Sequence, residues 1–262
     1  MNNDKLKGLM WGSLLGDAYE NKSFTLYGKQ IIWLLEYMSK SKVYDPFVFA
    51  EVWQKKMSNY EGKLDEASKD SLRNLKSGRS CLGAGSGSHD LSIVGRHAPI
   101  LFTLKGMDEM LESVKFHNCL THMTKETIDA SKYIAEVTLA MIYNLDVENT
   151  LIERAKFYGE EVEEEVSKAV ALRDKPVNVA LSTLGTGSHV HGALASTIYL
   201  LLNYHNDFET LLEVNLEAGG DSSARAMIAG MIVGARYGFK NIQPTWIKEL
   251  KDYEKLNALI DI

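Results

Sequence analysis

The chain has 262 residues, 45% of them hydrophobic, which is enough to bury a sizeable core in one large domain or two small ones. Its formal net charge is −6 with no offsetting block of Lys and Arg, which argues against a nucleic-acid partner. Cys81 and Cys119 lack metal-type spacing and suit a reducing cytosol, and the short apolar run before Asp17 suits neither a signal peptide nor a membrane anchor, so a cytoplasmic protein is expected.

In chain order, helical periodicity dominates; there are four prolines and little period-two alternation. The pattern predicts helices near 4–18, 28–40, 45–57, 63–76, 91–104, 107–117, 124–144, 148–172, 189–204, 207–217 and 222–237. Asp45-Pro46 reads as a helix start and Asp207 as a cap. Glycine-rich interruptions at 83–88 and 185–187, and the pair Gly219-Gly220, mark loops where backbone can approach a ligand. The acidic run 159–165 reads as a solvated helix face. With no linker, repeat or boundary in the sequence, residues 1–262 read as a single domain.

Two stripes of small residues recur every four positions: Gly8, Gly12 and Gly16, then Ala226, Gly230, Gly234 and Gly238. Glycine costs ~1 kcal/mol per helical site relative to alanine, so the stripes need a packing reason. The expectation is two closely packed central helices, one arrangement being against each other, with Asp17 and Asp221 brought into one neighbourhood.

Three segments carry candidate chemistry. In 217–226, Gly219 and Gly220 free the backbone before Asp221, Ser222 and Ser223 open a helix, whose first N–H groups can bind an anion. Asp221 is read either as a helix cap or as an oxygen ligand for a hard cation such as Mg²⁺. In 83–100, a loop containing Ser86, Gly87 and Ser88 precedes an apolar stretch with a lone Arg96. The loop can wrap phosphates, and the guanidinium can pair with a phosphate or carboxylate; a flexible loop and a structural ion pair are the competing reading. In 185–192, His189 and His191 form a His-x-His pair, which binds zinc when further ligands converge, but none stands at recognisable spacing. His122 taken alone reads as a satisfied buried or capping residue.

Together and in order, these pieces resemble the ADP-ribosylglycohydrolase family, which includes the crystallin J1-like proteins. Residues 12–18 are similar to its opening G-x-x-x-G-D-A motif, and Arg96-His97-Ala98-Pro99-Ile100 to its R-x-A-P element. Thr121-His122 matches the Thr-His that follows. Gly219-Gly220-Asp221 with Gly230 resembles the closing G-G-D-T-D-T-x-x-x-x-G element. The likeness spans roughly 8–238. It implies an all-α, compact, orthogonal multi-helix bundle with the active site among helix ends. It also implies a dinuclear Mg²⁺ centre and hydrolysis of an ADP-ribosyl N- or O-glycosidic bond, with an ADP-ribose-like molecule or ADP-ribosylated substrate as partner.

Carried over residue by residue, the resemblance makes Asp221 catalytic and, with Ser223, metal-facing. It makes Ser86, Gly87, Ser88, Arg96, His122, Gly219, Gly220 and Ser222 ligand-binding. The departures lie at the metals. Members with activity carry Thr-Asp-Asp-Thr soon after the first motif, where this chain has Thr25-Leu26-Tyr27-Gly28 with no carboxylate. In the closing element Ser223 replaces the second aspartate and Ala224 the following threonine, and Glu20 stands where the opening motif has glycine. Two readings follow: a divergent hydrolase with a weakened Mg²⁺ site, or a non-catalytic crystallin J1-like protein that keeps the fold and a ligand cleft. Two alternatives follow for Lys29: an ordinary solvent-facing residue on the helix after Gly28, or a charge swap in which its ammonium stands near Asp17 or Asp221 in place of a cation.

Overall fold

The computed structural model describes residues 2–261. Among them the chain is helical, with isolated bridges pairing Ser86 with His122 and Asp90 with His189. In chain order the helices are α1 (Asn3–Ala18), α2 (Leu26–Ser41), α3 (Pro46–Ser58), α4 (Glu66–Lys76), α5 (Ser92–Gly95), α6 (Ala98–Thr103), α7 (Met107–Thr121), α8 (Lys125–Ile142), α9 (Val147–Ala155), α10 (Glu160–Ala171), α11 (Val177–Leu184), α12 (Val190–Tyr204), α13 (Phe208–Glu217), α14 (Ser222–Tyr237), α15 (Pro244–Lys248) and α16 (Tyr253–Ile260). None of them is long and apolar enough to cross a membrane.

Most starts are capped by the residue types that satisfy orphan N–H groups. Asp45 accepts from Phe47 and Val48 with Pro46 in the first turn, and Asp207 accepts from Thr210, as the sequence indicates. Two predicted helices are each broken in two. The stretch 91–104 splits around Arg96-His97, just before Pro99, which cannot donate inside a helix. The stretch 148–172 splits at Gly159, whose φ of 93° ends one helical path and starts another. Helices α11, α15 and α16 lie in segments too short or too polar for periodicity to reveal. The acidic run is the solvated face expected, except for Glu165. That side chain is buried and accepts from the Gly192 N–H at 2.6 Å.

The two glycine stripes pack against each other. Helices α1 and α14 run antiparallel, Gly8 facing Gly234, Gly12 facing Gly230 and Gly16 facing Ala226. A Cβ on Gly12 would lie 2.1 Å from the Gly230 carbonyl oxygen, and one on Gly230 would lie 2.2 Å from that of Gly12. No side chain fits between the backbones, so glycine is required on both sides. The other faces of this pair are fully buried through Leu9, Trp11, Leu14 and Leu15 on α1 and Met227, Ile228, Met231 and Ile232 on α14. Helices α5, α8 and α12 pack around α14, and α6 around α1. Because the pair is antiparallel, the last turn of α1 and the first turn of α14 end side by side.

Candidate active site

Asp17 sits in that last turn, 2% exposed. Its carboxylate accepts the Thr25 N–H at 2.9 Å on Oδ2 and the Thr25 hydroxyl on Oδ1. Thr25 then caps α2, its hydroxyl oxygen accepting from the Tyr27 N–H at 3.1 Å. A Cβ on Gly28 would lie 2.1 Å from Asp17 Oδ2, so the first turn of α2 presses directly on the carboxylate. Burial pushes the Asp17 carboxyl up to about 6, the Thr25 and Gly28 donors pull it down, and the nearby Asp221 charge raises it further.

Asp221 arrives from the other side. Gly219 and Gly220 both have φ near 68° (68° and 67°), left-handed values that L side chains resist. Gly220 also passes so close to Thr186 that a Cβ would meet its carbonyl oxygen at 2.0 Å. This turn lets the Asp221 N–H donate to Thr186 O at 2.9 Å and its Oδ1 cap α14 by accepting from the Ala224 N–H at 3.2 Å. The other oxygen, Oδ2, accepts the Tyr27 hydroxyl at 3.2 Å. Burial and then the Asp90 charge raise the Asp221 carboxyl above its ordinary value. Burial and the charges of Asp90, Asp221 and Asp65 raise the Tyr27 phenol, so it is a neutral donor.

A cleft of about 360 Å³ opens over this pair, walled by Thr25, Leu26, Tyr27, Lys63, Leu64, Asp65, Asp221 and Ser223. Ser223 also points toward Asp17, its hydroxyl donating to the Asp17 carbonyl at 3.4 Å. Ser222 gives its carbonyl to Asn215 Nδ2 at 2.8 Å, and Glu20 is exposed.

Arg225, which follows Ala224, is fully buried behind the turn. It donates to Thr186 O and Gly219 O at 2.6 Å each and to Asn215 Oδ1 at 2.8 Å, so it braces the loops. Several expectations are corrected. Lys29 forms no ion pair with Asp17 or Asp221. Its ammonium lies over the Tyr60 ring, 4.9 Å from the centroid, in a separate hollow. Two residues along a helix rotate by about 200°, so with Tyr27 facing the cleft Lys29 must face away. The Ser86 loop is not a free anion cradle. Gly85 N–H donates to Cys119 O, Ser86 N–H to Thr121 O and Ser88 N–H to Ser86 Oγ, and none of the cleft walls comes from 83–88. Gly87 is exposed with open space around it.

Arg96 is 1% exposed and meets no carboxylate among the described residues; its Nη1 donates to Gln30 Oε1 at 2.6 Å, in place of the structural ion pair. Burial disfavours its charge and lowers its proton affinity, and the charges of Asp65 and Asp90 oppose this through space. His122 is buried beneath Ser86, its Nδ1 2.9 Å from Thr121 Oγ1. His189 and His191 do meet a third imidazole, His89. The rings stack, with centroids 4.9 Å apart for His89 and His189 and 5.3 Å for His189 and His191, so their nitrogens do not converge on a zinc ion.

The residues at the cleft do not fit a dinuclear Mg²⁺ centre. Both Asp17 oxygens are taken by Thr25, both Asp221 oxygens by Ala224 and Tyr27, and no group of three His, Cys, Asp or Glu among the described residues could hold a metal ion. Two cations need several hard anionic oxygens to offset dehydration and mutual repulsion. Sequence reasoning missed Tyr27 as a site residue. It was legible only as the missing carboxylate in 25–28, since nothing in a lone tyrosine says which residue its hydroxyl will meet. Asp65, Asp90 and Lys63 were also missed; Asp65 looks like an ordinary helix cap, and it is one.

The whole architecture can be set beside known proteins. The ADP-ribosylglycohydrolase family model matches residues 2–262. The chain belongs to the ADP-ribosylglycohydrolase family. An uncharacterized protein of Archaeoglobus fulgidus is 26% identical over 236 residues, covering 88% of this chain and 76% of that one. ADP-ribosylhydrolase ARH3 of Mus musculus is 23% identical over 154 residues, 53% of this chain and 42% of that one, so the match spans less than half of that relative. A solved structure described as an ADP-ribosylglycohydrolase-related protein complex superposes with a TM-score of 0.80 at 19% identity, covering 98% of this chain and 96% of its own. The all-α fold of the family is thus the fold of this chain.

Proposed function

We propose that this single-domain ADP-ribosylglycohydrolase-family protein takes an ADP-ribosyl or related nucleotide-sugar substrate and hydrolyses its N- or O-glycosidic bond without a dinuclear Mg²⁺ centre. The observation that carries the reading is Asp221 Oδ2 at the wall of the cleft, next to the neutral Tyr27 hydroxyl. Its raised proton affinity makes Asp221 a better general base than an ordinary aspartate. A water held by Asp221 attacks the anomeric carbon, its proton passes to the carboxylate, and the bond electrons leave with the aglycone nitrogen or oxygen, which is protonated from solvent. Tyr27 orients Asp221, and Asp17 holds the start of α2 against it. The substrate chemistry rests on family membership; the cleft supports a ligand of limited size.

A second reading has its own observation. Tyr27 and Thr25 already satisfy the carboxylates that would serve a metal mechanism, which favours a protein that keeps the cleft for binding alone. One experiment separates the two. The full chain is titrated calorimetrically with ADP-ribose, and turnover of ADP-ribosylated peptides is followed in Mg²⁺ and in EDTA. Turnover that persists in EDTA and is lost in Asp221→Asn supports the hydrolase. Binding without turnover supports the second reading, and an absolute Mg²⁺ requirement sinks the metal-independent mechanism.

A further inference from the structure

The segment leading into α2 separates two hollows. Thr25, Leu26 and Tyr27 face the cleft described above, while Ser23, Phe24 and Lys29 face another of about 420 Å³. The second hollow lies between α2, α3 and the turn before α16, and it collects four lysines: Lys29, Lys56, Lys251 and Lys255. Against them stand only Glu36 and Asp252 in its walls, so the hollow is cationic on a chain whose net charge is −6.

Glu36 is already committed. It pairs with Lys56 at 2.9 Å and with Lys255; burial works to raise its carboxyl, but those two ammonium groups together hold it below the usual range. Lys29 and Lys251 pair with no carboxylate among the described residues. Lys29 is set in place by the Tyr60 ring beneath its ammonium, and Tyr60 is itself fixed edge-on against Trp33. Phe24, Ile32 and Trp33 supply an apolar wall. Like charges gathered in one concavity repel, and an incoming anion relieves that repulsion. Two uncommitted ammonium groups match a phosphate dianion, and an aromatic wall beside them matches a planar body.

We infer that this hollow is a second ligand site, for a nucleoside monophosphate or a closely similar phosphate ester with a planar ring, bound through Lys29 and Lys251 with the ring against Trp33. The inference does not rest on the proposed hydrolase reading, because no cleft residue contributes to it.

The test uses the full chain and four probes: AMP, ribose 5-phosphate, adenosine and inorganic phosphate, followed by calorimetry and by tryptophan fluorescence. AMP is expected to bind at least tenfold tighter than ribose 5-phosphate, adenosine or inorganic phosphate alone, with affinity falling as salt rises. Lys29→Gln with Lys251→Gln should weaken AMP binding at least tenfold, and Trp33→Phe should remove the fluorescence response. Asp221→Asn should leave both unchanged. Unaltered thermal melts check that the surface variants fold. Equal AMP affinity in the double lysine variant overturns the site, as does loss of binding in Asp221→Asn, which would place the nucleotide in the cleft. Binding of inorganic phosphate as tightly as AMP overturns the assignment of a planar ligand.

Discussion

The Tyr27 hydroxyl donates to Asp221 Oδ2 at 3.2 Å, joining the first turn of α2 to the first turn of α14 across 194 residues of sequence. A neutral donor thus occupies a carboxylate that the family's metal chemistry would draw on. Calorimetry should find magnesium binding weak or absent in the parent chain. Tyr27→Asp, which places a second carboxylate beside Asp221, should raise Mg²⁺ affinity at least tenfold, whereas Tyr27→Phe should not. Identical titrations for the parent and Tyr27→Asp would show that the phenol is not what keeps the cation out.

Close backbone packing of α1 on α14 makes a sharp stability prediction. Gly12→Ala drives a methyl group to 2.1 Å from the Gly230 carbonyl, where only backbone can yield. The expected loss is about 3 kcal/mol, as for other overpacked cores, and is read from urea denaturation. Gly87→Ala meets nothing within 4 Å and is the matched control, expected to stay within about 0.5 kcal/mol of the parent.

Arg225 is the brace behind the Gly219–Asp221 turn. Arg225→Met keeps much of the volume but leaves Gly219 O and Asn215 Oδ1 without the guanidinium donor, while Thr186 O keeps only the Asp221 N–H. Each buried group left unpaired costs about 1–3 kcal/mol, so the sum should exceed the effect of removing the α14 cap by Asp221→Ala, about 1 kcal/mol. Hydrogen exchange should show the turn at 219–221 opening faster in Arg225→Met. Protection equal to the parent would mean that the two glycines hold the turn unaided.

Acid should destabilise the fold. Burial pushes His97 and His122 well below the ordinary imidazole value and His117 down to about 3. Between 6.5 and those values the unfolded chain binds protons that the native chain refuses, so stability falls as pH drops through that window. Asp17 acts in the opposite sense: raised from 3.8 to about 6, its carboxyl takes a proton more readily when folded, and protonation between those values favours the native state by about 3 kcal/mol. Asp221, also raised, acts with Asp17, and His189, also lowered, acts with the three buried imidazoles. The imidazoles outnumber the carboxyls, so denaturant midpoints should fall from pH 7 to pH 5. In Asp17→Asn the decline should be steeper, because the opposing proton uptake is gone. A midpoint that rises on acidification would mean the imidazoles are charged inside the fold.

Much of this architecture was legible in the residues. Glycines four apart on two segments announced a close helix pair, and that pair brought Asp17 beside Asp221, as the spacing implied. Helix caps were readable because Asp45 and Asp207 act on N–H groups two or three residues away. What sequence could not supply was direction. Lys29 and Tyr27 lie two residues apart, and only the rotation of α2 decides which of them meets Asp221. The loop at 83–88 has a phosphate-binding composition, yet its Gly85 and Ser86 N–H groups are consumed by the end of α7, a partner that composition does not name. Arg225 reads as a charge beside a motif, but its donors all turn inward to carbonyls brought there by α11 and α13.

The pairing of α1 with α14 also sets an order of events during synthesis. Residues 3–18 leave the ribosome about two hundred residues before residues 222–238, which form the surface that covers their glycine face. Contacts so distant in sequence carry a large loop-closure entropy and form late. The nascent chain must therefore hold an apolar, glycine-lined helix without its partner until residues 222–238 have been made, which is the stage at which such a protein is most open to aggregation and to capture by chaperones.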